Sequence, residues 1–281
     1  MISTLSGVID DVAALSPVDT TKAHPARMYD YYLSGKDNYA ADRAVARKVM
    51  AAFPQARKLA LANRGFLVRA VRFLAEQGIR QYLDLGTGIP TSPNVHEVAR
   101  QVAPDARVAY VDNDPVVTRH SQALRVTNEG VVAALGDIRR PHEILADPAV
   151  NSLIDFAEPV AILMVAVVHF VPDTDEPAGI VGAFADRVAP GSYLALSHIT
   201  RDKAVPGVVA EITAAYQNAT APAVLRSAEE ISALFGGLEL VEPGRLVDVS
   251  QWRPDQRASR PRSASWPGSP GRTDMQCHLF A

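Results

Sequence analysis

The sequence predicts an α/β chain with a mostly parallel sheet, helices on both faces and further helices at the N-terminal end. Three observations predict it. Short apolar runs end in acids or glycine-acid pairs, at Tyr82–Leu85, Val108–Asp112 and Val131–Asp137. The run from Pro159 to Val168 is apolar without alternation, which marks a strand buried on both faces, as in a parallel sheet covered by helices. Between these runs lie segments of helical spacing punctuated by proline and glycine.

At 281 residues and 48% hydrophobic content, the chain buries one sizeable core with a smaller appended element. A net charge of -3, with both signs interspersed, argues against a dedicated nucleic-acid or membrane-surface protein. Cys277 is the single cysteine, which rules out an intrachain disulfide and leaves too little thiol for a cysteine zinc site. No metal is expected. Met1 to Asp11 has acids where a signal peptide is apolar, and the apolar run Val160–Val168 falls short of the ~20 residues of a membrane helix. The expectation is a soluble, cytoplasmic protein.

Residues 1–19 form an expected flexible lead-in, and 20–78 the helical cap. A first helix carries Tyr29, Tyr31 and Tyr32, with Gly35 expected to close it at the C′ position. Aromatics at this spacing suit core packing; the other reading is a lid over a ligand. Helices at Ala40–Ala52 and Ala56–Gln77 follow, separated by Pro54 and closed by Gly78. Arg64 sits in the latter, as a solvated side chain or as a bidentate carboxylate partner.

The core spans 79–250. Its first strand, about Ile79–Leu85, runs into Gly86-Thr87-Gly88-Ile89-Pro90-Thr91 and then a helix near Asn94–Gln101. The glycines let backbone approach a ligand, and the first helical turn favours an anion. Thr91 stands where a dinucleotide fingerprint has its third glycine, whereas Asp84 suits a ligand carrying an ammonium group. The second strand ends in Asp112-Asn113-Asp114, roughly 20–25 residues past the glycines, where a carboxylate meets ribose hydroxyls. Asp114, before Pro115, suits a helix N-cap. The third strand, Val131–Leu135, ends in Gly136-Asp137-Ile138.

His169 follows the long apolar strand at the ligand-facing end of the sheet, as a general base or as a histidine bonded to loop backbone. A helix at Asp175–Val188, a fifth strand after Pro190-Gly191, and helices at Val205–Asn218 and Ser227–Phe235 come next. Ser227 and Glu230 form a capping box. Leu238–Val241 reads as the sixth strand. Residues 251–272 alternate proline, serine and arginine and read as a mobile loop, leaving 273–281 for a final edge strand.

Acid-x-Gly-x-Gly at Asp84–Gly88 resembles the first motif of class I S-adenosylmethionine (SAM)-dependent methyltransferases. A closer resemblance, over about 20–255, is to the DUF574 family within that superfamily. It rests on Arg27–Asn38, Ala62–Leu67, Asp84–Thr91, Tyr110–Pro115, Val167–Pro172 and Glu239–Gly244. The resemblance implies a Rossmann-like class I methyltransferase fold with an N-terminal helical cap and SAM as cofactor, and it leaves the acceptor unassigned; a small-molecule acceptor is expected. It favours the lid reading, with Tyr32 and Asn38 closing over the ligand. Asp84 and the amides of Gly86 and Gly88 would hold the methionine part, and Asp112 the ribose. Asp137 would hold the adenine, with Val165 and Ala166 as the wall beside the sulfonium. Arg64, Thr87, Asn113 and Ile138 complete the expected cofactor site, and His169 is the expected base. A SAM-binding sensor without turnover is the alternative, and a nicotinamide-dependent oxidoreductase a distant third.

Overall fold

The computed structural model describes residues 18–202, 204–254 and 277–280, the last as backbone. The expected lead-in, up to residue 17, and the loop reading of 255–272 lie outside the described residues.

The strands are β1 (Gln81–Leu85), β2 (Arg107–Asp112), β3 (Val131–Leu135), β4 (Ala161–Val165), β5 (Tyr193–Ile199), β6 (Val247–Asp248) and β7 (Cys277–Phe280). They form one sheet in the order β3-β2-β1-β4-β5-β7-β6. The pairs from β3 to β5 are parallel, and β7 runs antiparallel to both its neighbours. The strand order reverses between β1 and β4, the switch point at which open α/β sheets bind ligands.

The helices are α1 (Pro25–Tyr32), α2 (Ala40–Ala52), α3 (Ala56–Glu76), α4 (Val95–Arg100), α5 (Pro115–Thr127), α6 (Pro141–Ala146), α7 (Pro148–Asn151), α8 (Pro177–Ala185), α9 (Pro206–Tyr216) and α10 (Ala228–Ala233). On one face, Phe66, Val71 and Leu74 of α3 pack with Val98 of α4 against Tyr82, Val108, Tyr110 and Leu163. On the other, Ile180 and Phe184 of α8 and Ile231 of α10 cover Leu83, Val111, Ile162 and Met164. Alternate residues of uniformly apolar strands thus serve two cores, as a period of two requires. Burying each such side chain contributes about 1.5–3 kcal/mol.

The segment expected as a single cap divides. From Phe66 onwards helix α3 is a layer of the sheet, while its first turns, at Ala56 and Ala60, join α1 and α2 in a second cluster with Ile212 and Tyr216 of α9 and with Leu225. Helix α1 ends at Leu33 with Ser34, not Gly35, in the left-handed conformation at φ 67°. Gly35 N–H donates to Asp30 O at 2.8 Å and Ser34 N–H to Tyr31 O at 3.1 Å, a Schellman closure one residue earlier than expected. Gly35 is needed for room: a Cβ there would lie 1.8 Å from Asp30 Oδ1.

At the C-terminal side, Leu238–Val241 is not a strand. Leu238 is exposed, Leu240 and Val241 pack partly buried against the two cores, and the sixth strand is instead the two-residue β6. Strand β7 lies between β5 and β6 rather than at the sheet edge. Trp252, 2% exposed, packs edge-on against Phe66 and Phe73 at 5.5 and 5.6 Å. Trp252 thereby anchors this turn to the folded body. No described helix is long and apolar enough to cross a membrane.

Candidate functional site

Parallel register brings Leu85 of β1 beside Val111 of β2, and Asp112 beside Leu135 of β3. The three acidic strand ends thus converge on one edge. The turn after β1 rises over this edge with Gly86 and Gly88 at φ 68° and 69°, a conformation that costs a residue with a Cβ roughly 1–2 kcal/mol. A Cβ on Gly86 would lie 2.3 Å from Val167 Cγ2, and one on Gly136 2.8 Å from Val111 Cγ1. Both glycines are therefore spatial necessities.

The amides of Gly86 and Gly88, expected to hold the methionine part, are occupied within the protein. Gly86 N–H donates to Val111 O at 2.8 Å, and Gly88 N–H donates to Asp112 Oδ2 at 2.9 Å. The start of α4 is also taken. Glu97 accepts from Asn94 N–H at 2.5 Å, placing a carboxylate where an anion was expected. The turn supplies close backbone approach and no anion site.

The turn opens into a cleft of about 1030 Å³, open solvent included. Arg64, Asp84, Gly86, Thr87, Gly88, Asp112, Asn113, Asp137, Ile138, Val165 and Ala166 all line it. Ala166 holds φ 57°, left-handed for a residue with a Cβ, and its N–H donates to the buried Ser197 Oγ at 2.9 Å. Strain of this kind gathers at sites whose shape the surrounding structure dictates.

The carboxylates differ in state. Asp84 is 4% exposed, and burial pushes its pKa up to about 6 despite the Thr87 hydroxyl at 2.8 Å and the nearby Arg64 charge. Asp112 is likewise raised by burial, partly offset by nearby His24 and by its backbone donors. Asp112 Oδ1 accepts from Asp114 N–H at 2.9 Å, while Asp114 Oδ1 caps α5 through Val116 N–H at 2.9 Å. Capping by Asp114 and a cleft position for Asp112 hold together. Burial alone would raise Asp137, but Arg139 Nε donates to both its oxygens at 3.0 Å and holds it below its ordinary value.

Three expected residues lie elsewhere. Tyr32 is 6% exposed within the α1–α2 cluster, because its position on α1 faces α9. Asn38 is spent on the turn after α1, its Nδ2 donating to Asp30 Oδ2 at 2.7 Å. His169 sits in a 3-10 turn (Val168–Phe170) that directs it inward, 3% exposed, against the rings of Phe170 and His198. Burial, then the charges of His198 and Arg226, lower its pKa well below the usual histidine value. A base role for His169 has no place in this geometry. Its neighbour Phe170 lines the cleft instead, on a turn held by Arg226, which donates to Val168 O at 3.2 Å and Val171 O at 2.8 Å.

The cap adds His24, Pro25, Ala26 and Tyr29 to the cleft, and α3 adds Asn63, none of them among the expected site residues. His24 N-caps α1, its Nδ1 accepting from Ala26 N–H at 3.2 Å, and its Nε2 meets Asn113 Oδ1 at 3.2 Å. A polar residue before Pro25 was the available signal. Arg27 anchors the same helix, its Nε 3.0 Å from Asp114 Oδ2 with both side chains buried. Thr220 and Ala221 complete the rim, tied to the cap by Thr220 N–H donating to Ala23 O at 2.9 Å. Nothing local in the sequence marks that loop.

These residues fit an adenosyl ligand with an amino-acid end. A Cβ on Gly88 would project into open space, Asp112 stands at the ribose offset, and Asn63 Oδ1 is a buried acceptor without a hydrogen-bond partner. The chain is similar to the crystal structure of a DUF574 family protein from Streptomyces avermitilis. Identity is 41% over 94% of this chain and 98% of that one, with a TM-score of 0.85. It is also similar to a candidate methyltransferase from Thermobifida fusca, at 40% identity over 93% and 95% of the two chains and a TM-score of 0.82. No curated protein matches the sequence significantly. The family described as S-adenosyl methyltransferase matches residues 11–273. The chain belongs to this family, with the class I methyltransferase fold and SAM as its cofactor.

Proposed function

We propose that the protein transfers a methyl group from SAM to a small-molecule acceptor held beneath the cap. The observation that carries this reading is the roof. His24, Pro25, Ala26 and Tyr29 on one side and Thr220 and Ala221 on the other stand over the strand tips, joined by the Thr220–Ala23 hydrogen bond. A roofed cleft admits a small molecule more readily than a nucleic-acid or protein segment.

Bound in the cleft, SAM supplies an electrophilic methyl group. Asp112 accepts from the ribose hydroxyls, Asp84 faces the ammonium, and Asp137 with Ile138 borders the adenine. Arg64 donates to Thr91 O and, at 2.5 Å, to Pro93 O. It thereby holds the far end of the glycine turn as well as adding positive charge near Asp84. Val165 and Ala166 exclude water beside the reacting centre, and Phe170 and Tyr29 offer the acceptor aromatic faces. The protein's part is alignment and desolvation. With His169 turned away, the favoured acceptor atom is one already nucleophilic.

The test uses methyl-labelled SAM and a cell extract split into ultrafiltrate and retained macromolecules. Label is expected in the ultrafiltrate, dependent on the protein. Label confined to the macromolecules would refute the small-molecule reading.

A further inference from the structure

The cleft divides at β4. Its charged side chains, Arg64, Asp84, Asp112, Asp137 and Arg139, come from α3 or from the tips of β1 to β3. His24 of the cap meets Asn113 on that same side. Past β4 the wall is Val165, Ala166, Val167, Phe170 and Val171, with Thr220 and Ala221 at the rim. Among the described residues no charged side chain lines this second half.

The ionisable groups behind that wall are already engaged. Arg226 is 3% exposed, and its guanidinium donates to Val168 O, Val171 O, Asp173 Oδ1 and His198 Nε2. His198 Nδ1 in turn donates to Ile199 O at 2.7 Å, so the ring is neutral. Burial lowers its pKa to about 4 and holds His169 well below its ordinary value. A charged acceptor in this half would lose its water and meet no counter-charge. A cationic one would also be repelled by the sulfonium.

The same wall offers no group to take a proton. Tyr29 Oη, across the cleft, donates to Ala60 O and accepts from Asn63 Nδ2. Aliphatic amines, with a pKa of about 10.4, are protonated at neutral pH, and thiols and phenols, at about 8.5 and 10, must lose a proton before they attack. A ring nitrogen of the imidazole kind, at about 6.5, keeps a free lone pair while uncharged. A thioether is also a neutral nucleophile, but it has no flat face. The wall supplies a flat, braced ring: Phe170 is backed by His169 at 4.4 Å and Tyr216 at 5.4 Å, and Tyr29 brings a second ring to the cleft.

We infer that the acceptor is an uncharged aromatic compound methylated on a ring nitrogen, seated against Phe170. The inference rests on the methyl-transfer reading and names the substrate class of that site. The nitrogen lone pair forms the new N–C bond as the C–S bond breaks, and the electron pair of the broken bond stays on sulfur. The positive charge passes from sulfur to the ring, and leaves as a proton to solvent where the ring carries an N–H. The other product is S-adenosylhomocysteine.

The experiment incubates the full chain with SAM carrying a carbon-13 methyl group and the ultrafiltrate of a cell extract, passed first through cation and anion exchangers at neutral pH. The acceptor is expected in the flow-through, and the carbon shift of the transferred methyl should mark attachment to an aromatic nitrogen. An acceptor held by either exchanger, or a shift that marks oxygen, sulfur or carbon, would overturn the inference and leave methyl transfer to a small molecule standing. No labelled small molecule from the unfractionated ultrafiltrate would overturn the methyl-transfer reading, and the inference with it. Phe170→Leu removes the ring and keeps the wall apolar. It should raise the amount of flow-through that gives half-maximal transfer by roughly threefold to tenfold, the scale of one aromatic contact, with calorimetric S-adenosylhomocysteine affinity within about twofold. An unmoved half-saturation would overturn the stacking and the ring assignment built on it. If that variant fails to fold, the wild-type charge and carbon-shift readouts decide the inference by themselves.

Discussion

The tips of β1 and β2 differ from the tip of β3, although each carries an aspartate. Asp84 and Asp112 are 4% and 5% exposed, and burial raises the pKa of both. Asp137 keeps 22% of its side chain exposed and is held low by Arg139. The inner pair lies under the cap and between the helical layers, where a carboxylate loses water. The outer one stands at the sheet edge with a cation beside it. Carboxylates that look alike along the chain thus carry different energies, and the costly pair surrounds the glycine turn. A site that holds charge out of water gives up stability for recognition.

The largest expected effect breaks that pair. A carboxyl whose pKa is raised by folding contributes stability below its ordinary value of 3.8 and loses it as pH rises through about 6. Asp84→Asn should therefore be more stable than wild type at pH 7.5, by on the order of 2–3 kcal/mol, with the gain vanishing towards pH 4. Thermal unfolding across that range measures it; a variant less stable than wild type at pH 7.5 contradicts the burial argument. The same substitution should flatten the pH dependence of S-adenosylhomocysteine binding, which in wild type weakens as pH falls below about 6.

Next comes Asp112→Ala, which should weaken S-adenosylhomocysteine binding by roughly 1–3 kcal/mol, the cost of leaving buried partners unpaired. Calorimetry showing unchanged affinity would remove Asp112 from the site. The smallest effect sharpens the contrast at β3. Asp137→Asn should change stability by less than about 1 kcal/mol, because its pair with Arg139 is partly exposed to water. A loss as large as that from Asp112→Ala would show that the outer tip is energetically like the inner ones.

Much of the fold was legible because its determinants are local. Val131–Leu135 is a strand and Ala40–Ala52 a helix at the expected bounds, since apolar runs and helix formers declare themselves to near neighbours. The Ser227–Glu230 capping box forms as expected, with Glu230 N–H donating to Ser227 Oγ at 3.2 Å. The failures lie where a distant partner decides. Leu238–Val241 has strand composition but no neighbouring edge, and the antiparallel place beside β5 goes to residues 277–280. Tyr29, Tyr31 and Tyr32 offered a lid, yet of the three only Tyr29 lines the cleft, because helix rotation turns Tyr32 towards α9.

The sequence by itself determined the strand tips, the glycine turn and the order of acids across them. Those depend on side-chain type and on backbone freedom at single positions. Tertiary structure alone decided that Gly86 and Gly88 spend their amides internally, that His169 faces inward, and that Asn63 keeps a free acceptor. The physical reason is that hydrogen-bond occupancy and desolvation depend on which groups pack around an atom, and residues far apart in the chain supply most of those groups.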